Sequence, residues 1–224
     1  MKILKNTGVL VLMFFSVFVF SQEKKKFTNV QNVLAKIIPN DKFDFWVLVY
    51  NSYGKNQEVK ASGTKKDYLP QFSGFDLTPS EDTFFYIVNS KGGKISYITE
   101  LKDLKPFIGD IDNAEEAALS AVLEGYIIDE EFVDLAANYY QDAKNYYLDL
   151  GKVTSKECPY QKKHFTITVS KSAGKIENIK ENGSYIELYN KKCINNPRLL
   201  KLEKKEETKD DPKKQPAKKR KSYF

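Results

Sequence analysis

Four times after residue 40, a run rich in aromatic and β-branched side chains meets a glycine-containing turn and resumes beyond it. That pattern commits the chain to antiparallel hairpins. Residues 43–50 read as a strand, with Asn51-Ser52-Tyr53-Gly54 as its turn and 58–62 as the return. Residues 83–89 and 94–99 form a second hairpin around Ser90-Lys91-Gly92-Gly93. A three-stranded meander is expected from 164–170, 175–179 and 185–190, turning at Ser172-Ala173-Gly174 and at Glu181-Asn182-Gly183-Ser184. Its Asn-Gly pair is a strong hairpin signal, because both residues tolerate positive φ.

Helical spacing occupies the intervening stretches. Phe27, Val30, Val33, Leu34, Ile37 and Ile38 line one face of a helix expected over 24–38, ended by Pro39-Asn40-Asp41. Leu101, Leu104, Phe107 and Ile108 continue the pattern over 100–108, with Thr99 as candidate cap and Pro106 limiting its extent. The clearest helix covers 112–123: Asp112 and Glu115 have capping-box spacing, alanines fill the body and Gly125 stops it. Residues 63–80 read as a loop. Residues 130–154 suit one long helix, yet alternation at Tyr146, Leu148 and Leu150 favours a strand over 146–154. The expected class is α+β: antiparallel sheets of hairpins, a C-terminal three-stranded meander and about three helices.

The first 21 residues read as a cleavable signal peptide. Lys2 and Lys5 precede an apolar run from Val9 to Phe20 broken only by Ser16, and Ser21 offers a small residue for cleavage. The run falls short of the roughly 20 residues that span a bilayer. No cysteine lies near that point, so no lipid anchor is expected. The divisions are therefore 1–21 leader, 22–200 single domain and 201–224 tail. The tail combines Lys, Glu and Pro with few apolar residues and is expected to stay disordered.

The net charge of +6 belongs to the two ends. The leader holds two lysines and no acid, and the stretch from residue 201 holds ten basic against five acidic residues. The body between them is close to neutral. With Arg198 and Arg220 as the only arginines, nucleic acid is not an expected partner. The tail's Lys213-Lys214 and Lys218-Lys219-Arg220-Lys221 have the charge to contact an anionic surface. Cys158 and Cys193 are the only cysteines, and in an oxidising compartment they are expected to form a disulfide.

Chemistry is harder to find. His164 is the only histidine, so a multi-histidine metal site cannot be built; beside Lys162 and Lys163 it reads as a surface residue. The text carries neither GxSxG nor GxGxxG nor a phosphate-cradling GxxxxGK[ST], and Lys91-Gly92-Gly93-Lys94 reads as a hairpin turn. No catalytic residue, metal ligand or cofactor is assigned. Glu115-Glu116 and Asp129-Glu130-Glu131 are explained by capping and by a solvated loop, and Asp110-Ile111-Asp112-Asn113 by a cap and linker rather than calcium. Tyr139, Tyr140, Tyr146 and Tyr147 form the candidate binding surface, since tyrosine joins an apolar face to a hydroxyl. The plainer reading, and the preferred one, is that one of each pair faces the core while the other covers sheet surface.

The stretch FIGDIDNAEEAALSAVLEGY between Phe107 and Tyr126, followed by Cys158-Pro159, resembles a block of uncharacterised exported bacterial proteins. The Phe-Ser-Gln ending of the leader is similar to those of flavobacterial secreted proteins. The resemblance implies export and brings no catalytic residue. The expected function is a non-enzymatic domain of the periplasm or cell surface that binds a protein or glycan. The alternative is a glycan-directed hydrolase using carboxylates alone, with two acids roughly 5–10 Å apart across a pocket.

Overall fold

The computed structural model describes residues 23–77, 82–194, 196 and 197. The leader and the basic tail lie outside the described residues. Two antiparallel sheets make up most of the regular secondary structure among the described residues, joined with short helices. The four-stranded sheet has the order β3-β2-β4-β5, where β2 is Phe45–Ser52, β3 is Lys55–Gly63, β4 is Thr83–Lys91 and β5 is Lys94–Ile98. The five-stranded sheet has the order β1-β6-β7-β8-β9, where β1 is Lys25–Lys26, β6 is Ala137–Gln141, β7 is Asn145–Ser155, β8 is Tyr160–Ser170 and β9 is Lys175–Leu188. The fold is α+β in the broad sense and mostly β.

The unbroken apolar text of β2 suits a strand buried on both faces. Trp46 and Leu48 enter the main core, while Phe45, Val47 and Val49 join Tyr86 and Val88 in a smaller one on the opposite face. The loop after β3 covers that second core, with Tyr68 stacked on Phe45 and its hydroxyl donating to Glu58. The loop is pinned again where Phe75 and Phe85 exchange main-chain hydrogen bonds of 2.8 Å. Gly74 permits this approach, because a Cβ there would overlap the Phe85 carbonyl.

The helices are α1 (Val30–Leu34), a 3₁₀ turn at Leu101–Asp103 running into α2 (Leu104–Ile108), α3 (Ala114–Leu123) and α4 (Val133–Ala136). Ala117, Ala118 and Ala121 of α3 are fully buried, and their small side chains let it lie close against α1 and β7. The main core gathers these helices, Ile87 of β4, Leu148 and Leu150 of β7, and Phe165, Ile167 and Val169 of β8. Among the described residues no helix is long and apolar enough to cross a membrane.

Several expectations need correction. The helix expected over 24–38 shrinks to α1, because Lys25 and Lys26 pair with Tyr139 and Asn138 on the edge of β6. Ile38 is exposed rather than on the buried face. Asn113, not Asp112, caps α3, its Oδ1 accepting from the Glu116 N–H at 2.9 Å; Glu116 rather than Glu115 reaches back, to the Asp112 N–H at 2.7 Å. The 3₁₀ turn has Glu100 at its N-cap, without a side-chain cap from Thr99. Asn182-Gly183 makes no turn, so the strands expected over 175–179 and 185–190 are one continuous β9. Gly183 (φ 103°) pairs with His164, and three register shifts between β8 and β9 absorb the extra residues. A bulge can place glycine at positive φ just as a hairpin does. The strand expected over 146–154 forms as β7.

Candidate functional site

The face of the five-stranded sheet turned away from the core carries a row of polar side chains. Asp149 of β7, only 4% exposed, accepts from Lys24 Nζ at 2.5 Å and Thr166 Oγ1 at 2.8 Å and lies 3.0 Å from His164 Nε2. His164 is therefore mostly enclosed and partnered, not the surface residue expected. β-Sheet alternation explains the cluster: Asp149 faces Thr166 directly across the ladder, with His164 one position diagonal. Burial alone would raise the Asp149 pKa, but the hydrogen bonds from Lys24, Thr166 and His164 leave it below the ordinary 3.8.

This carboxylate therefore stabilises the fold above pH 3.8, and its contribution is lost as the pH falls through the lowered folded value. Asp149→Asn is expected to cost about 1–3 kcal/mol at pH 7 and to flatten the loss of stability on acidification. Urea midpoints at pH 7 and pH 3 check this. Equal acid losses in the two proteins would assign the transition to other groups.

A second buried carboxylate follows on the same face. Asp129 Oδ2 accepts from Lys162 Nζ at 2.8 Å and from the Tyr185 hydroxyl at 2.7 Å, and Oδ1 accepts from the Glu131 N–H. Glu116, the third buried acid, accepts from the Ile38 and Asp112 N–H groups. Burial raises its pKa, opposed by those main-chain donors. All three are structural anchors. The stretch Asp110 to Asn113 serves as the cap described above, and among the described residues no group of three or more His, Cys, Asp or Glu is placed to hold a metal ion.

The four tyrosines divide across the sheet. Tyr139 stacks on Phe27 at 4.9 Å between ring centroids, and Tyr146 is buried with its hydroxyl on the Asp112 carbonyl. Tyr140 and Tyr147 stack on each other on the other face, 4.5 Å apart and within 10° of parallel. Two of the four therefore belong to the interior side. The outer pair uses its ring faces on each other, and Tyr147 donates to Asp142.

The exposed aromatic chemistry lies elsewhere. Tyr53 and Gly54 form the two-residue turn between β2 and β3, and Tyr53 has φ 50°. That left-handed conformation favours glycine and asparagine and costs other residues about 1–2 kcal/mol. The turn is braced by Asn51, whose Oδ1 accepts from the Gly54 N–H and whose Nδ2 donates to Asn56. Despite this conformation the Tyr53 side chain gains little burial: the residue is 76% exposed. Phe72, on the loop pinned at Tyr68 and Phe75, is 98% exposed. Both rings border one open concavity of about 760 Å³, where Asn56, Gln71, Asp76 and Asp82 supply amides and carboxylates. The sequence signal was a tyrosine in the slot where Asn-Gly is favoured; strand counting reads it only as part of a turn.

Cys158 and Cys193 are disulfide-bonded, with Cα atoms 5.5 Å apart. No family model, curated protein or solved structure matches this chain.

Proposed function

We propose that this is an exported binding domain that takes a neutral glycan in the concavity between Tyr53 and Phe72. The observation that carries this is the Tyr53 turn: a large side chain held at positive φ, in a braced hairpin, with its ring left in water. Backbone strain of this kind persists where the surroundings enforce it and clusters at functional positions. Two exposed rings beside amides and carboxylates match the apolar faces and hydroxyl edges of a sugar. Asp76 and Asp82 disfavour uronic-acid polymers by like charge. The disulfide suits an oxidising compartment, and the leader supplies the route there.

Tyr53→Asn separates binding from folding. Asparagine is at ease in this turn, so its stability is expected to equal or exceed the parent's by up to about 1 kcal/mol. Binding is expected to fall at least tenfold, and Phe72→Ser should behave alike. Affinity electrophoresis through gels containing xylan, laminarin, mannan or alginate reads this out. Unchanged retardation of the folded Tyr53→Asn protein by the neutral polymers would overturn the proposal.

Asp76 and Asp82 in one concavity motivate a second reading, hydrolysis of the bound glycan. It is the weaker one. A general acid needs a carboxyl in a dry, apolar setting, whereas Asp82 is exposed and the concavity is open. Release of reducing ends by the parent protein, abolished in Asp76→Asn/Asp82→Asn, would favour it.

A further inference from the structure

A second concavity, of about 500 Å³, lies away from the aromatic one, bordered by α2, α3, β7 and β9. Its volume is that of sites for small ligands. The floor is aliphatic: Ile108, Ile111 and Ile176, with the Tyr126 ring, and Ile179 borders it. Three lysines, Lys105, Lys152 and Lys175, border it. Lys152 is held in place, its ammonium 4.5 Å from the centre of the Tyr126 ring and donating to the Glu124 carbonyl. Among the described residues no carboxylate forms an ion pair with any of the three, although eight other lysines of the chain do so.

Two acids also border the site. Glu116 directs its oxygens at the main-chain N–H groups of Ile38 and Asp112, 2.6 and 2.7 Å away, and is fully buried. Glu124 is exposed at the C-terminal end of α3. The accessible cationic groups therefore outnumber the accessible anionic ones three to one. An aliphatic floor with an ammonium rim is complementary to one kind of molecule, an alkyl chain ending in an anion. Ile179 is 46% exposed at this rim, an apolar side chain that such a chain would cover.

We infer that this cavity binds a medium-chain alkyl carboxylate, the chain on the isoleucines and the carboxylate among Lys105, Lys152 and Lys175. The site is independent of the aromatic concavity, so the Tyr53→Asn and Phe72→Ser proteins should retain it.

Calorimetric titration of the disulfide-bonded protein with decanoate, below its micelle concentration, tests this. The expected result is saturable binding at one site per chain, weakened by added salt. Lys105 and Lys175 are exposed, so Lys105→Glu/Lys175→Glu should fold normally, verified by its melting temperature, and should bind decanoate at least tenfold more weakly. Decanol should also bind at least tenfold more weakly, and Ile179→Ser should weaken decanoate. The inference is overturned by absence of saturable binding, by equal affinity in the double lysine variant, or by decanol binding as tightly as decanoate.

Discussion

Lys162→Met is expected to lower the unfolding free energy by about 3–5 kcal/mol, the range for removing one member of a buried ion pair. Asp129 and Lys162 have side chains only 4% and 15% exposed, so both charges are largely withdrawn from water in the folded state. Removing the ammonium leaves Asp129 with the Tyr185 hydroxyl and the Glu131 N–H, two neutral donors, to offset a buried charge. The pair also pins a crossing segment. Phe132 packs edge-on against Tyr185, and the Asp129 N–H donates to the Ala136 carbonyl, so 129–136 lies across the sheet through these contacts. Burial would lower the Lys162 pKa, but its hydrogen bond and attraction to Asp129 leave it raised above 10.5. The share of this stability that depends on the Lys162 charge is thus fully held on the alkaline side up to 10.5 and lost as the pH rises through the folded value. Denaturant unfolding at pH 7 is the measurement. A loss under about 1 kcal/mol would place the pair with solvated surface bridges. Lys162→Met/Asp129→Leu/Tyr185→Phe should recover most of the loss, since no charge or hydroxyl is then stranded.

The legibility of this fold follows what each residue depends on. β2, β4 and β7 could be read because their aromatic and β-branched residues are buried by the strand's own alternation or continuity. The alanine body of α3 announces itself in the same local way. β1 could not be read: two lysines become a strand only because the edge of β6 is there to pair with. The text of β6, Ala-Asn-Tyr-Tyr-Gln, fits a helix as well as a strand until β7 pairs with it. Asn182-Gly183 carries genuine turn chemistry, yet the length of β8 demands a continuous partner, and the glycine is used for a bulge.

Sites depend still more on what is distant in sequence. That Asp149 and His164 meet needs the β7–β8 register. Composition places tyrosine and phenylalanine in a core, and it does so correctly for Tyr146 and Tyr86. Phe72 differs because its loop is anchored on either side, by Tyr68 and by the Phe75 bridge, leaving the tip no core to enter. The disulfide was legible from counting alone, because two cysteines admit one intramolecular pairing.

Reducing that disulfide is expected to cost about 4 kcal/mol, from the chain entropy released by opening a loop of this size. The bridge spans a sequence separation of 35 and encloses both β8 and β9, the outer half of the larger sheet. Its two ends differ in what else holds them. Cys158 sits in the connection between β7 and β8, which the ladder secures on both sides. Cys193 follows the end of β9 in a turn held locally, its N–H on the Asn190 carbonyl and Asn190 Oδ1 accepting from the Lys192 N–H. Without the bridge, this turn keeps local hydrogen bonds and its chain link to β9 but loses its cross-link to the β7–β8 connection. Cys158→Ser/Cys193→Ser should therefore show two separable effects. Its denaturant midpoint should fall, and trypsin should cut at the exposed Lys191 and Lys192 while leaving the strands through Leu188 intact. Equal trypsin resistance and an unchanged midpoint would make the bridge decorative. The predicted loss is a large fraction of the 5–15 kcal/mol that typically holds a domain together. A reducing compartment would impose that loss on every copy, so the bridge contributes fully only where thiols are oxidised.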